Sequence, residues 1–230
     1  MCYLKSVLLL PLLCGPPACA SKCEVARTKC AYRAGCGMAL QNYMIDCAAL
    51  IVGHTTVCSV ACERALIALL STEEGEALVD CDCDAAEFCE SIRQRLQVCR
   101  QQVLNATAAG SVVDCQTARS ICNADLPCST ALAYFYDRCR PVFHGRACDL
   151  LCKNSLQILH RQEKADKLKT CFCDGGEDFA CQRIRRTTEE LCNRDIANHI
   201  HVLSSSSSSL SSARFSVLLS AVLIAADLSL

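Results

Sequence analysis

The residues in this 230-residue chain best placed to do chemistry are its 23 cysteines. Twenty of them form two sets of ten with nearly the same spacing. The first set is Cys23, Cys30, Cys36, Cys47, Cys58, Cys62, Cys81, Cys83, Cys89 and Cys99, with steps of 7, 6, 11, 11, 4, 19, 2, 6 and 10. The second is Cys115, Cys122, Cys128, Cys139, Cys148, Cys152, Cys171, Cys173, Cys181 and Cys192, with steps of 7, 6, 11, 9, 4, 19, 2, 8 and 11. Six of the nine steps are identical, so the spacing describes a duplicated unit. Thiols in such numbers either bind metal or oxidise to cystine. There is no Cys-x-x-Cys, and His54, His144, His160, His199 and His201 share no metal-ligand spacing, so the expectation is cystine with no metal and no cofactor. An even count in each set allows five bridges per unit.

The ends of the chain supply the oxidising compartment that cystine needs. Residues 1–20 read as a secretory signal peptide. Lys5 is the positive flank, Val7 to Leu13 the apolar run and Ala18-Cys19-Ala20 the cleavage site. Cleavage after Ala20 removes Cys2, Cys14 and Cys19, the three cysteines outside the two sets. At the other end a serine run, Ser204 to Ser209, leads into the apolar stretch Phe215–Ala226. That stretch is shorter than the roughly twenty residues a spanning helix needs, and no basic flank follows it. Small residues, a polar spacer and a terminal apolar tail form the attachment signal of a glycosylphosphatidylinositol (GPI) anchor. The expected acceptor is Ser204, Ser205 or Ser206, in a membrane-proximal segment over 193–209, with 210–230 removed. The location implied is the extracellular face of the cell membrane.

The elements that must position the cysteines read as helices. Cys36, Leu40, Tyr43 and Cys47 recur at helical steps, as do Cys58, Cys62, Leu66 and Leu69, then Phe88, Ile92, Leu96 and Cys99. Thr72 to Gly75 punctuates the second run. In the second set Cys128, Leu132, Phe135 and Cys139 match the first stripe, and Cys148, Cys152 and Leu156 the next. No sustained period-two alternation occurs. The fold class expected is all-α: two tandem small disulfide-rich helical domains, residues 23–99 and 115–192, with five disulfides each and a linker over 100–114. Such small units bury little apolar surface and depend on their staples. Asn105-Ala106-Thr107 in that linker is an N-glycosylation sequon on an expected exposed loop.

Spacing constrains the bridges without fixing them. Cys58 and Cys62, like Cys148 and Cys152, fall one helical turn apart, so each pair is expected to face one side and reach different partners. Cys81 and Cys83, like Cys171 and Cys173, would point the same way in an extended segment and are poorly placed to bond each other.

Charge is uneven. The whole chain has a formal net charge of −1, which offers nothing to nucleic acid. Residues 23–99 hold 6 Lys/Arg against 11 Asp/Glu, and residues 115–192 hold 12 against 10. The second unit concentrates cations in Arg161, Lys164, Lys167 and Lys169, and in Arg183, Arg185 and Arg186. This is a candidate docking patch for an acidic protein surface or heparan sulfate, since guanidinium forks suit carboxylate and sulfate. The bland alternative is a solvated helix face. The acidic group Glu73, Glu74, Glu76, Asp80, Asp82 and Asp84 lacks the ordered loop of a calcium site and reads as solvated. No nucleophile elbow, phosphate loop or catalytic carboxylate pair appears, so an enzyme is not expected.

The ten-cysteine spacing resembles the repeat of the family that comprises the GDNF-receptor alpha chains and the growth arrest-specific proteins. The resemblance rests on Cys81-Asp82-Cys83 with Phe88-Cys89 and Arg93, and on Cys171-Phe172-Cys173-Asp174 with Cys181 to Cys192. It extends to Cys128-Ser129-Thr130-Ala131-Leu132 and Val142-Phe143-His144-Gly145-Arg146-Ala147-Cys148. It covers residues 23–192, and two repeats rather than three resemble the growth arrest-specific branch. The resemblance implies the pairs Cys23–Cys81, Cys30–Cys36, Cys47–Cys62, Cys58–Cys99 and Cys83–Cys89. In the second unit it implies Cys115–Cys171, Cys122–Cys128, Cys139–Cys152, Cys148–Cys192 and Cys173–Cys181. It implies a GPI-anchored co-receptor for a secreted ligand: Hedgehog on one branch, or on the other a GDNF-like cystine-knot factor presented to a transmembrane receptor tyrosine kinase. It also implies ligand contacts just after the ninth cysteine of a repeat, where Arg185 and Arg186 stand, with Arg93 and Arg95 after Cys89. The chain departs from the family by its short 193–203 segment, where the growth arrest-specific branch has a long stalk, and by its short Cys47–Cys58 interval. Two further readings are an adhesive surface module without a ligand site and a secreted effector that keeps its C-terminal tail.

Overall fold

A computed structural model describes residues 22–193; the signal-peptide, GPI-acceptor and tail assignments, with His199 and His201, fall outside them. The described chain is all-α. Its elements are α1 (Cys23–Tyr32), α2 (Ala34–Asp46), α3 (Ala48–Ile51), α4 (Val60–Leu70), α5 (Glu73–Glu76), α6 (Glu87–Leu96) and α7 (Arg100–Thr107). There follow α8 (Cys115–Asn123), α9 (Leu126–Arg138), α10 (Arg140–Phe143), α11 (Leu150–His160), α12 (Asp166–Thr170) and α13 (Cys181–Thr188). Extended structure among the described residues is limited to two isolated bridges, Lys22 with Asp82 and Asp114 with Phe172. No described helix is long and apolar enough to cross a membrane. The chain divides into two compact units, the first ending at Ser111 and the second beginning at Val112, with Asn123–Leu126 counted in the first.

In the first unit α2 packs on α4, with α1, α5 and α7 around them. Cys30, Cys36, Ala39, Leu40, Ala68 and Leu69 form a buried cluster, with Tyr43 and Leu78 against it. The expected stripe on α2 is therefore a core face. In the second unit Leu132, Phe135, Val142, Phe143, Leu156 and Leu159 pack with Cys122, Cys128, Cys139, Cys152 and Cys192. Phe135 and Phe143 meet edge-on at 5.4 Å, a geometry aromatic quadrupoles favour.

The described units hold ten disulfides, five in each. The first unit joins Cys23–Cys81, Cys30–Cys36, Cys47–Cys62, Cys58–Cys99 and Cys83–Cys89. The second joins Cys115–Cys171, Cys122–Cys128, Cys139–Cys152, Cys148–Cys192 and Cys173–Cys181. These are the pairs the family resemblance implies.

Three local readings of the sequence need correction. Cys58 and Cys148 are not helical. They precede Ser59 and Asp149, which cap α4 and α11 by accepting hydrogen bonds from Cys62 N at 3.2 Å and Cys152 N at 2.8 Å. A polar cap satisfies one of the free N–H groups at a helix start, so the four-residue spacing spans a loop and a first turn. Next, the third stripe is not a core face. Phe88 is 68% exposed and α6 has no fully buried residue; held by the Cys89 and Cys99 bridges, it needs only shallow packing on α3. Finally, the expected linker is largely helical: α7 packs on α4 through buried Val103. Asn105 is exposed on α7, where its Oδ1 accepts from Gln101 Nε2 at 2.9 Å, rather than on a loop.

Candidate ligand-binding surface

The candidate arginines lie on the helix that follows the Cys-x-Cys segment of each unit, whereas the candidate lysines precede that segment in the second unit. In the first unit Cys89, in the first turn of α6, is tied back to Cys83. Arg93 reaches the segment itself, donating from Nη1 to Cys81 O at 3.4 Å, while its Nη2 contacts Glu90 at 2.5 Å. In the second unit Arg185, also four residues after the ninth cysteine, repeats this. It donates from Nη1 to Cys171 O and from Nε to Glu189 at 3.1 Å. Both arginines therefore brace their helix against the carbonyl of the seventh cysteine. Arg95 is likewise committed: its Nη1 donates to Ile51 O at the C-terminal end of α3. It stands over Gly53, whose φ of +83° suits glycine.

Two arginines are different. On α13, Cys181, Thr187 and Thr188 are buried and Ile184 packs against the core, which turns Arg183 and Arg186 outward. Both are exposed, and neither shows an ion pair or side-chain hydrogen bond among the described residues. Their counterparts by cysteine spacing in the first unit are Ser91 and Gln94, so outward cations here belong to the second unit alone. The lysines are more mixed. Lys169 pairs with Asp166 at 2.6 Å, Lys167 is half-buried and engaged by a neighbouring group, and Lys164 is half-buried. Partial burial, with the Lys169 charge adding to it, lowers the pKa of His160 below the ordinary imidazole value. Arg119 is used internally, pairing with Asp178 at 2.8 Å and lying 5.1 Å over the Phe179 ring.

The acidic residues of the first unit are also partly consumed. Glu74 pairs with Arg33 at 2.9 Å, Asp84 with Lys22 at 2.6 Å, and Asp82 accepts from Asp84 N. Four clusters of three sulfurs lie within metal-ligating reach of one another, but all are disulfide-bonded and offer no thiolate.

Comparison with known proteins places the second unit. The GDNF/GAS1 domain matches residues 115–209. The chain is 34% identical over 139 residues to growth arrest-specific protein 1 of Homo sapiens, which is 59% of this chain and 40% of that protein. It is 33% identical over 138 residues to growth arrest-specific protein 1 of Mus musculus, with the same coverage. The chain thus spans about 40% of the length of these relatives. The matched residues include α13, so Arg183 and Arg186 are outward residues of the matched stretch, while Arg185 supports its frame.

Proposed function

We propose that this protein is a non-enzymatic, GPI-anchored cell-surface co-receptor. It binds a secreted signalling ligand, of Hedgehog type, through the α13 face of its GDNF/GAS1 domain, and modulates growth or survival signalling. The observation that carries the site is the pair Arg183 and Arg186: two outward, internally uncommitted guanidinium groups on a helix locked by Cys181. Such groups form bidentate bonds with carboxylates and, unlike Arg185, need not abandon an internal partner to do so. The ligand surface they suit is acidic. The first unit is read as a diverged copy of the same repeat that supplies rigidity more than cations, over 23–99, with the second over 115–192. Glycosylation at Asn105 and lipidation at one of Ser204–Ser206 complete the reading.

The test is binding of a soluble ectodomain, residues 21–203, to Hedgehog and to GDNF-type ligands at micromolar concentration. Saturable Hedgehog binding that falls about tenfold in R183A/R186A, with an unchanged melting temperature, is the expected result. Binding of a GDNF-type factor instead would move the protein to the receptor-kinase branch, and retention on heparin alone would make heparan sulfate the partner. No binding to any of these would leave an adhesive module. Release from cells by phosphatidylinositol-specific phospholipase tests the anchor separately.

A further inference from the structure

We propose that the Cys81-Asp82-Cys83 segment is a site of thiol–disulfide exchange, where an external monothiol such as glutathione shifts the bridge of Cys23 from Cys81 to Cys83. The start of α1 straddles this pair. Cys23 N donates to Asp82 O at 2.9 Å, on the residue between the two cysteines. Alternate residues of an extended segment project to the same side, so Cys81 and Cys83 both face Cys23. Cys23 Sγ is bonded to Cys81, and it lies 3.8 Å from Cys83 Sγ. The Sγ atoms of Cys23, Cys83 and Cys89 all fall within 4.8 Å of one another. The second unit builds the same arrangement, with Cys115 N donating to Phe172 O at 2.9 Å and Cys115, Cys173 and Cys181 clustered alike.

Access to the Cys83–Cys89 bridge runs through Cys89, which is half-buried, whereas Cys83 is 5% exposed. An external thiolate attacks Cys89 Sγ; its bond to Cys89 forms, the Cys83–Cys89 bond breaks, and Cys83 leaves as a thiolate. That thiolate attacks Cys23 Sγ; the Cys23–Cys83 bond forms, the Cys23–Cys81 bond breaks, and Cys81 leaves as a thiolate that takes a proton from water. One thiol is consumed and one appears, so no oxidant or reductant is needed. The released thiol already has an acceptor, since Cys81 Sγ lies 3.3 Å from Leu78 O. The other close sulfur contact of the first unit, Cys62 to Cys99 at 4.0 Å, joins two sulfurs buried at 1% and 0% exposure.

The test treats the intact protein with glutathione at pH 8, quenches in acid, alkylates with N-ethylmaleimide and maps the bridges by fragment-ion mass spectrometry. The expected products are glutathione on Cys89, alkylation on Cys81 and a Cys23–Cys83 cross-link. Alkylation on Cys83 with Cys23–Cys81 intact overturns the proposal, as does opening of any other bridge before Cys83–Cys89. In Cys89→Ala, a Cys83 thiol is present from the outset, and alkylation should divide between Cys81 and Cys83 with no added thiol. Labelling of Cys83 alone in that variant would also refute it.

Discussion

The two units share a frame and differ in what they expose. Both join equivalent cysteines, both cap the helix after the fifth cysteine with a polar side chain, and both brace the helix that carries the ninth cysteine with an arginine on the seventh cysteine's carbonyl. The first unit adds a further internal arginine, Arg95, where the second has buried Thr187. The second unit presents Arg183 and Arg186 where the first has Ser91 and Gln94. What recurs is the machinery of folding, and what differs is the surface. Recurrence thus separates a brace from a candidate contact among arginines that look alike by position.

The largest effect should come from the longest staples, and it should be equal in the two units. Cys23–Cys81 and Cys115–Cys171 close separations of 58 and 56 residues. Chain-entropy reasoning gives about 4 kcal/mol for loops of that length and about 2 kcal/mol for a six-residue loop such as Cys122–Cys128. Paired Cys→Ala variants of each, followed by thermal unfolding, should show two similar large losses and one smaller loss. A large inequality between Cys23–Cys81 and Cys115–Cys171 would break the equivalence of the two frames.

The next effect is expected in the first unit only. Gly75 sits where α5 folds under the end of α4; a Cβ there would lie 2.0 Å from Leu69 O and 2.6 Å from Thr72 Oγ1. Six residues before the seventh cysteine of the second unit stands Ala165, fully buried in a 3₁₀ turn. The same step in the chain therefore approaches its helix more closely in one unit than in the other. Gly75→Ala should cost about 1–3 kcal/mol by overpacking, whereas Ala165→Gly should cost less, about 0.5–1 kcal/mol. Urea melts of both variants check this order.

Much of this frame could be read from the sequence, for a physical reason. Leu40 and Tyr43, and Leu132 and Phe135, fall between cysteines at helical steps because one face carries both the apolar packing and the sulfur. The spacing of Cys58 and Cys62 misled because a loop residue, a cap and a first helical turn also span four positions; Ser59 and Asp149 were the available signals. Phe88 fits a period yet faces water, since a helix clamped by sulfur at both ends needs no deep stripe. α7 offers one buried residue, Val103, too few to make a pattern. The candidate site was legible only as a group of cations. Arg93 and Arg185 bond to carbonyls 12 and 14 residues back, and nothing local in the sequence signals such a contact.

The entry into each unit's first helix differs in a way that predicts a smaller effect. Asp114 accepts from Thr117 N at 2.8 Å and from Thr117 Oγ1 at 2.6 Å. Lys22, at the equivalent position before α1, makes no cap and holds only an exposed pair with Asp84. Asp114→Ala should cost about 1 kcal/mol. Lys22→Ala should cost less, because exposed ion pairs contribute little and are screened by salt. Melting temperatures at low and high salt separate the two: the Asp114 loss should persist in salt and the Lys22 loss should fade.

The smallest expected effect is a gain. In the loop after Cys83, Asp84 and Ala85 take φ of 52° and 60°, while in the second unit the residue two after Cys173 is Gly175, with φ of 88°. A left-handed backbone costs an alanine roughly 1–2 kcal/mol through its Cβ, and glycine escapes that cost while losing more chain entropy on folding. The difference favours Ala85→Gly by at most about 1 kcal/mol, raising the melting temperature slightly. Because the Cys83–Cys89 bridge closes this loop in both folded and unfolded oxidised chains, the entropy lost by the new glycine is already reduced. The gain should therefore shrink in a C83A/C89A background, where the open unfolded chain samples more states. A loss of stability in the oxidised protein would mean that the two loops do not share a backbone path, and that the likeness of the units ends at the eighth cysteine.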